Sequence, residues 1–225
     1  MNLLPAATKS TSLPSAVDVV FYTPHQDDET LAGGAALATL AAANSSVMVV
    51  GLTDGSASLV RAELGMTTSS FVLARNHELR AAAWALTGHG CVFGSIVNGT
   101  MTQDLALRVI RSWTTRYPKA LHISMSTYDD NVEHKAAAAA LTVVAGEGRQ
   151  TRHVVSRPNW AAAEAGGGTL GYVTATGSAL ERLIAAVDAY EVVAPALGRY
   201  GIAYRSVPNL LEALRTDPRT LWSSR

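Results

Sequence analysis

The sequence predicts an α/β fold, with one domain in which a mainly parallel sheet is flanked by helices. Short β-branched runs alternate with alanine- and leucine-rich stretches along most of the 225 residues. Strands that alternate with helices favour parallel pairing through right-handed crossovers. Polar loops end three of the apolar runs, after Tyr22, Leu52 and Met125. We therefore expect these loops to open on one edge of the sheet, where open α/β proteins bind ligands.

The elements of the first half follow from apolar runs and helix-forming composition. Val17–Tyr22 is β-branched and aromatic, and Ser46–Thr53 is almost continuously apolar, which is the pattern of a strand covered on both faces. The predicted elements are a strand over 17–22, a helix over 31–40, a strand over 46–53, a helical turn near 59–64, a helix over 71–86 and a short strand over 90–93.

The second half begins regularly and then loosens. The spacing of apolar residues predicts a helix from Thr102 or Gln103 to Tyr117, which Pro118 ends. The elements predicted after it are a strand over 120–125, a helix over 135–144, a strand over 153–155, a flexible loop over 159–168, a strand over 170–173, a helix over 178–190, a strand over 201–204 and a helix over 208–214.

The domain organisation predicted from the sequence is simple, because no internal repeat or long linker divides the chain. Residues 1–16 are rich in Ser, Thr, Ala and Pro and are expected to form a loose leader. A single α/β domain is expected over 17–225, a length that suits one domain. Within it, the segment 147–225 is expected to form walls of a substrate pocket.

Charge and hydropathy exclude several classes of protein. Lys plus Arg and Asp plus Glu both number 18, and no basic patch predicts nucleic-acid binding. No run of about 18 apolar residues predicts a membrane span, and Met1–Ser10 lacks the features of a secretory signal. The single cysteine, Cys91, suits a reducing compartment, so a cytoplasmic location is expected. Nothing in the sequence indicates an oligomeric state.

A metal site is the chemistry that the polar loops favour. His25 and Asp28 are three residues apart at a strand-to-helix junction, so both side chains can converge on one point. His134, at another strand end, would complete a set of two histidines and one carboxylate. Catalytic zinc sites commonly use three protein ligands and keep one position open, and the same set also suits Fe²⁺ or another divalent metal.

Asp27 remains after the ligands are assigned. It is adjacent to Asp28 and should point elsewhere, toward water at the metal, where a carboxylate can act as general base. The alternative is that Asp27, Asp28 and Glu29 only stabilise the positive end of a helix dipole. That alternative leaves Pro24 and His25 unexplained.

The hexapeptide Pro24-His25-Gln26-Asp27-Asp28-Glu29 resembles the P-H-x-D-D-E signature of the PIG-L/LmbE-like N-deacetylases. Arg75 to Leu79 resembles the R-x-x-E-L helix of the same family. The resemblance covers about the first 145 residues and implies a Rossmann-like, LmbE-like domain. It further implies zinc-dependent removal of an N-acyl group from N-acetylglucosamine or a related small-molecule substrate. By position, His25, Asp28 and His134 would be zinc ligands, Asp27 the base and Arg75 a contact to substrate hydroxyls.

The chain departs from the family pattern around the last metal ligand. Family members commonly have H-P-D-H, whereas this chain has Asn131-Val132-Glu133-His134. Asn131 cannot donate a proton as the family's histidine has been proposed to do, but its amide can donate a hydrogen bond to an oxyanion. Glu133 is expected to replace the family's aspartate beside the ligands.

Two further residues are expected to bind substrate. Asn98 stands where some family members carry a substrate-binding aspartate, and Tyr128 lies in the same polar loop as His134.

The sequence leaves more than one function open. The leading hypothesis is a zinc-dependent deacetylase of an N-acyl amino sugar. A second is a member of the same fold that binds a sugar-like ligand without efficient turnover, which the change at Asn131 motivates. A third, hydrolysis of a phosphoester, is disfavoured because no cationic phosphate cradle is evident. Serine-hydrolase and dinucleotide-binding motifs are both absent from the sequence.

Overall fold

A seven-stranded sheet forms the centre of the molecule in a computed structural model that describes residues 13–225. The first twelve residues of the predicted leader lie outside the described part of the chain. The strands are β1 (Val19–Thr23), β2 (Val47–Gly51), β3 (Cys91–Val92), β4 (Leu121–Met125), β5 (Thr151–Val155), β6 (Thr169–Thr174), β7 (Val193–Ala194), β8 (Arg199–Tyr200) and β9 (Arg219–Ser223). β7 and β8 form a separate two-stranded sheet.

The strand order of the main sheet is β3-β2-β1-β4-β5-β9-β6. The first five strands in this order are parallel, whereas β9 runs antiparallel to both β5 and β6. This arrangement confirms the predicted mainly parallel sheet. In the middle of it, Val19 of β1 pairs with Val47 of β2 and with Leu121 of β4.

Helices cover the sheet on both faces, as the alternating sequence predicts. They are α1 (Asp28–Leu31), α2 (Gly34–Ala42), α3 (Val60–Glu63), α4 (Thr68–Thr87), α5 (Gln103–Arg116), α6 (Val132–Gly146), α7 (Trp160–Ala165), α8 (Ser178–Glu191), α9 (Ile202–Ser206) and α10 (Pro208–Thr216). None of the described helices is both long and apolar enough to cross a membrane.

The two faces of β1 contribute to two separate hydrophobic clusters. Val19 and Phe21 pack in the cluster that includes α2 and α8, while Val20 and Tyr22 pack in the cluster that includes α5 and α6. Every residue of β1 is buried. The continuous apolar run in the sequence is therefore explained by a strand that has a packed layer on each side.

Close packing requires the glycine pair that follows the signature motif. A Cβ atom on Gly33 would lie 2.7 Å from Phe21 Cε2, and one on Gly34 would lie 2.6 Å from Leu183 Cδ1. The helix predicted over 31–40 is divided here into α1 and α2. The two glycines allow this junction to pack directly against β1 and α8.

Two predictions for the second half are wrong, and one strand was not predicted. Residues 202–204 belong to helix α9, not to a strand, and the loop predicted over 159–168 contains α7. The sequence analysis also missed β9, which inserts between β5 and β6. In each case long-range packing overrides a weak local pattern, since five-residue segments carry little periodicity of their own.

Candidate metal centre

Three side-chain atoms from two loops meet at the carboxyl edge of the sheet. His25 Nδ1 lies 3.2 Å from Asp28 Oδ2 and 3.1 Å from His134 Nε2. Asp28 Oδ2 and His134 Nε2 are 3.1 Å apart. Around a tetrahedral zinc ion, neighbouring ligand atoms lie roughly 3.3–3.5 Å apart. The triangle of donor atoms therefore fits a small divalent cation, and it is the set of residues that the sequence predicted.

Local structure brings His25 and Asp28 together. His25 follows the end of β1, and Asp28 is the first residue of α1. The backbone N–H of His25 donates a 2.9 Å hydrogen bond to Asp28 Oδ2, which holds the carboxylate against the loop. His134 lies in the first turn of α6, shortly after β4. Because β4 is the neighbour of β1 in the sheet, His134 comes close to His25 and Asp28.

A second carboxylate stands behind each histidine. His25 Nε2 lies 2.9 Å from Glu133 Oε2, within hydrogen-bond range. His134 Nδ1 is 3.1 Å from Asp129 Oδ1, an ion-pair contact in which the ring N–H is not aligned for a hydrogen bond. Carboxylates in such positions fix the tautomer of a ligating histidine and increase its basicity.

The carboxylates also control the protonation of these groups. Burial lowers the pKa of His25, but Asp28 and Glu133 outweigh burial and raise that pKa to about 9. Burial likewise opposes protonation of His134, yet Asp28 and Asp129 raise its pKa to about 10. The two histidines hold the pKa of Asp28 well below its ordinary value, although burial alone would raise it. The cluster is thus a strongly anionic environment that attracts positive charge.

Glu133 accepts hydrogen bonds from a neighbouring loop in addition to its contact with His25. Its carboxylate accepts hydrogen bonds from Asn98 Nδ2 at 2.7 Å, from Gly99 N at 3.0 Å and from Met101 N at 2.9 Å. Burial raises the pKa of Glu133, but the contact with His25 and these donors lower it to about 2. Glu133 is therefore ionised, and it ties the loop after β3 to a predicted metal ligand.

Asp27, the predicted base, has a cationic partner. Arg75 Nη1 and Nη2 lie 3.3 and 3.4 Å from Asp27 Oδ2, and both residues are buried. Since both contacts go to Oδ2, the other carboxylate oxygen has no guanidinium contact. Burial lowers the pKa of Arg75, but Asp27 and other anionic neighbours raise it above its ordinary value.

The remaining predicted residues differ in their surroundings. Asn131 caps α6: its Oδ1 accepts from Glu133 N and His134 N, so only its NH₂ group is left to donate. Asn98 is engaged at both ends of its amide, because Oδ1 accepts from Ala57 N while Nδ2 donates to Glu133. Both asparagines line the cavity described below.

Tyr128 is not brought to the same place. Its hydroxyl donates to Gly166 O and accepts from the guanidinium of Arg225, and it is not among the residues that line the cavity.

Asp129 was not assigned to the site from the sequence, and Glu29 was considered only in the helix-dipole alternative. Asp129 is buried, and the tandem Asp129-Asp130 at a strand end was a signal too ambiguous to assign it. Glu29 is completely buried under the site, where it accepts hydrogen bonds from Thr30 and Tyr190. Its partner Tyr190 is 161 residues away, so no local pattern could have revealed the contact.

A cavity of about 570 Å³ opens above the metal centre. Its floor contains the predicted ligands and Asp27, and its walls come from several loops and from the C-terminal part of the chain. The C-terminal contributions are Ser156–Asn159 and Ser206, Val207 and Leu210. This volume lies in the range of typical small-molecule sites.

Fold and site together define an α/β protein with a His–Asp–His triad that could hold a metal ion at the carboxyl edge of its sheet. The family model for PIG-L, GlcNAc-PI de-N-acetylase, matches residues 20–145, which is more than half of the chain. The chain therefore belongs to the PIG-L family, which confirms the resemblance seen in the sequence. No curated protein matches the chain.

Solved structures with the same fold include proteins of different activity. The A40926 pseudoaglycone deacetylase Dbv21 is 21% identical with a TM-score of 0.67, over 92% of this chain and 96% of that chain. The N,N'-diacetylchitobiose deacetylase from Pyrococcus horikoshii is 12% identical with a TM-score of 0.62, over 87% and 76%. GalB, the 4-carboxy-2-hydroxymuconate hydratase from Pseudomonas putida KT2440, is 18% identical with a TM-score of 0.64, over 92% and 94%. At these identities the likeness shows the fold alone, so the reaction must be argued from the side chains.

Proposed function

We propose that the protein is a metal-dependent amide hydrolase that removes an N-acyl group, with acetyl as the expected group, from an amino sugar. The observation that carries the proposal is the triangle of donor atoms from His25, Asp28 and His134 beside the carboxylate of Asp27. Membership of the PIG-L family supports this reaction, as do the names of deacetylases among the structural neighbours.

The two histidines and the aspartate would hold the cation. Two nitrogens and one oxygen are donors that suit Zn²⁺, and Fe²⁺ or another divalent ion is compatible with the same set. When bound, such a cation polarises the amide carbonyl and makes water more acidic. Glu133 and Asp129 keep the histidine rings oriented for this role.

Asp27 would act as the general base. It takes a proton from the water that attacks the carbonyl carbon, and its contacts with Arg75 hold the carboxylate in place. When the C–N bond breaks, Asp27 returns this proton to the leaving nitrogen. The products are a carboxylate and an amine. Asp27 thereby serves as both base and acid in a chain that has Asn131 where the family has histidine.

Substrate contacts would come from the other polar groups of the cavity. The free NH₂ group of Asn131 can donate a hydrogen bond to the developing oxyanion. Arg75 lines the cavity beside Asp27 and is proposed to contact sugar hydroxyls, and Asn98 borders the same space. Tyr128 is retained as a substrate contact only for ligands that extend past the cavity. Residues 147–225 are proposed to supply pocket walls, through Ser156–Asn159 and the segment from Ser206 to Leu210.

Asp27→Asn tests the assignment of the base. The variant is expected to keep its zinc, because Asp27 is not a ligand, and to lose about 10²–10⁴-fold in kcat for amine release from N-acetylglucosaminides. Metal content by mass spectrometry and amine release by fluorescence labelling are the measurements. Asp130→Asn removes an exposed carboxylate of a nearby loop and should leave both unchanged. A kcat of Asp27→Asn equal to that of the wild type would reject the role of Asp27.

A binding protein without turnover remains the second function, because Asn131 lacks the proton that the family's histidine can donate. Zinc-loaded wild-type protein should be screened against a panel of N-acyl amino sugars. Amine release from any of them eliminates this alternative. A cytoplasmic location is likewise a proposal, and it rests on the single cysteine, Cys91.

A further inference from the structure

We propose that the mouth of the cavity binds an uncharged, apolar aglycone of the substrate. The inference rests on the proposed function, since it takes the metal centre as the place where the amide of an amino sugar reacts. It goes further by specifying what is attached to the sugar. The description of the family model names GlcNAc-PI, but the match does not establish which group is attached to the sugar in the substrate of this chain.

Two large apolar side chains stand unusually exposed at the cavity. Leu59 is 84% exposed and Val132 is 77% exposed, and both line the cavity. Single exposed apolar residues are common on protein surfaces, but two of them at the opening of a polar metal site favour contact with an apolar group of the ligand. An aglycone lying between them would remove their surface from water.

The segments that carry these two residues are held together through Asn98. The amide oxygen of Asn98 accepts from Ala57 N at 3.1 Å, two residues before Leu59. Its Nδ2 donates to Glu133 Oε2 at 2.7 Å, one residue after Val132. One amide side chain therefore links the two segments that carry Leu59 and Val132, the pair that we call the apolar rim. A link of this kind reduces the entropic cost of ordering the two segments when a ligand binds.

The apolar surface continues around the cavity. Leu31 of α1, Pro158 after β5, and Val207 and Leu210 near the start of α10 also line it. Leu31 in addition packs against the main hydrophobic cluster, so its position is set by the core.

The charges of the cavity disfavour an anionic aglycone. Of the lining residues, Arg75 and Arg157 carry guanidinium groups, and each has a carboxylate partner: Asp27 for Arg75 and Asp217 for Arg157. Four carboxylates line the same space, and only Asp27 among them pairs with an arginine, so Asp28, Asp129 and Glu133 have no arginine partner and a divalent cation would offset part of their charge. No lining arginine is free to pair with a phosphate or carboxylate on the substrate.

We assign the aglycone, and not the acyl chain, to the mouth of the cavity because the two groups are attached at different distances from the reacting amide. The acyl carbonyl must reach the floor, where His25, Asp27, Asp28 and His134 present charged and polar atoms. A long acyl chain would start among those groups. A glycosidic substituent starts one sugar ring away from the amide, and we assign it to Leu59 and Val132, the two most exposed apolar residues that line the cavity.

The experiment compares hexyl and methyl β-glycosides of glucosamine, which are products of the proposed reaction and are not hydrolysed. Their binding to zinc-loaded wild-type protein is measured by calorimetry. The hexyl glycoside is expected to bind about tenfold more tightly, because part of its chain is buried at the mouth. The kcat/KM values of the two N-acetylated glycosides should differ in the same direction.

Two double variants test whether Leu59 and Val132 cause the tighter binding of the hexyl glycoside. Leu59→Asn with Val132→Thr is expected to reduce the hexyl-to-methyl ratio to about twofold, since most of the apolar rim is lost. Leu197→Asn with Val193→Thr makes the same changes at exposed residues that do not line the cavity, and it should keep the wild-type ratio.

Several outcomes would overturn the proposal. They are equal binding of the two glycosides, the same ratio in both double variants, tighter binding of glucosamine 1-phosphate than of the hexyl glycoside, or a preference for an N-hexanoyl over an N-acetyl group that exceeds the aglycone effect. A different result would reject the proposed function. If the expected binding ratios are found but no N-acetylated glycoside releases amine, the apolar mouth stands and the deacetylase assignment is rejected.

Discussion

Glu29 belongs to the signature motif, but its contacts in the structure are with the core and not with the cavity. Its carboxyl is fully buried, with Oε1 accepting 2.7 Å hydrogen bonds from Thr30 and Tyr190, while Oε2 has no partner. Burial raises the pKa of Glu29 to about 8. A neutral carboxyl can tolerate the missing partner, whereas a buried anion would be costly. We infer that the motif keeps this group to anchor α1 to α8.

Protonation of Glu29 predicts a pH dependence of stability. The folded protein holds this proton up to about pH 8, while the unfolded chain releases it near the ordinary pKa of 4.5. The stability that the proton contributes is therefore complete below about pH 4.5 and is lost as the pH rises to 8, with a slope of up to ~1.4 kcal/mol per pH unit.

Glu29→Gln tests this dependence, because glutamine is neutral at every pH and its amide oxygen can accept from Tyr190. Between pH 5 and 8 the unfolding free energy of metal-depleted wild-type protein should fall more steeply than that of the variant, as measured by urea titration. Glu63→Gln, at an exposed site, is the control. Parallel curves for wild type and Glu29→Gln would show that Glu29 is ionised in the folded state.

At the scale of elements, helix α4 connects Asp27 to the C-terminal segment that lines the cavity. Arg75 contacts Asp27, and Glu78, one turn further along, is fully buried. Glu78 accepts from the backbone N–H of Tyr200 at 3.2 Å, of Ile202 at 2.9 Å and of Ala203 at 3.3 Å. These bonds hold the start of α9, which leads into Val207 at the cavity. In the R-x-x-E-L pattern, Arg75 thus contacts the proposed base, and Glu78 binds backbone N–H groups of the C-terminal segment.

Glu78→Ala should remove these contacts to the C-terminal segment. It leaves buried N–H groups without acceptors, at a cost of about 2–4 kcal/mol in unfolding free energy. Hydrogen exchange should accelerate at residues 199–207 more than in the central strands, and KM should rise because Val207 lines the cavity. Glu78→Gln keeps one acceptor oxygen and should show a smaller effect. Unchanged exchange at 199–207 in the alanine variant would contradict the role of Glu78.

At the scale of the whole molecule, the metal centre joins two parts of the chain that are distant in sequence. His25 and Asp28 follow β1, and His134 follows β4, which pairs with β1. A cation bound by all three would stabilise only the folded chain, since the unfolded chain does not assemble the site. The stability of the protein should therefore depend on metal.

Thermal unfolding measures this linkage. Zinc at 1,000 times its dissociation constant should stabilise the wild type by about 4 kcal/mol relative to chelator-treated protein. His134→Ala is expected to lose most of this stabilisation and its bound zinc, whereas Asp130→Asn should retain both. If zinc raises the Tm of His134→Ala as much as that of the wild type, His134 is not a ligand.

Much of the architecture could be predicted because it depends on local pattern. The β-branched run at Val17–Tyr22 has to be covered on both faces, and the alternation with helices has to produce parallel neighbours. Strand ends then meet at one edge, so His25, Asp28 and His134 could be grouped from the sequence alone. The irregular C-terminal part was predicted less well, because α7, α9 and β9 are short and lack a clear period.

The sequence by itself determined the mainly parallel part of the sheet, the edge that carries the candidate site, and the three residues that could hold a metal. Only the tertiary structure decided which groups pair behind them. Arg75 reaches Asp27 across 48 residues, Glu133 reaches His25 across 108, and Glu78 reaches Ile202 across 124. Such contacts depend on how layers pack against one another, and packing is set by the whole chain at once. A periodic pattern records which face of an element is buried, but not which distant side chain will meet it there.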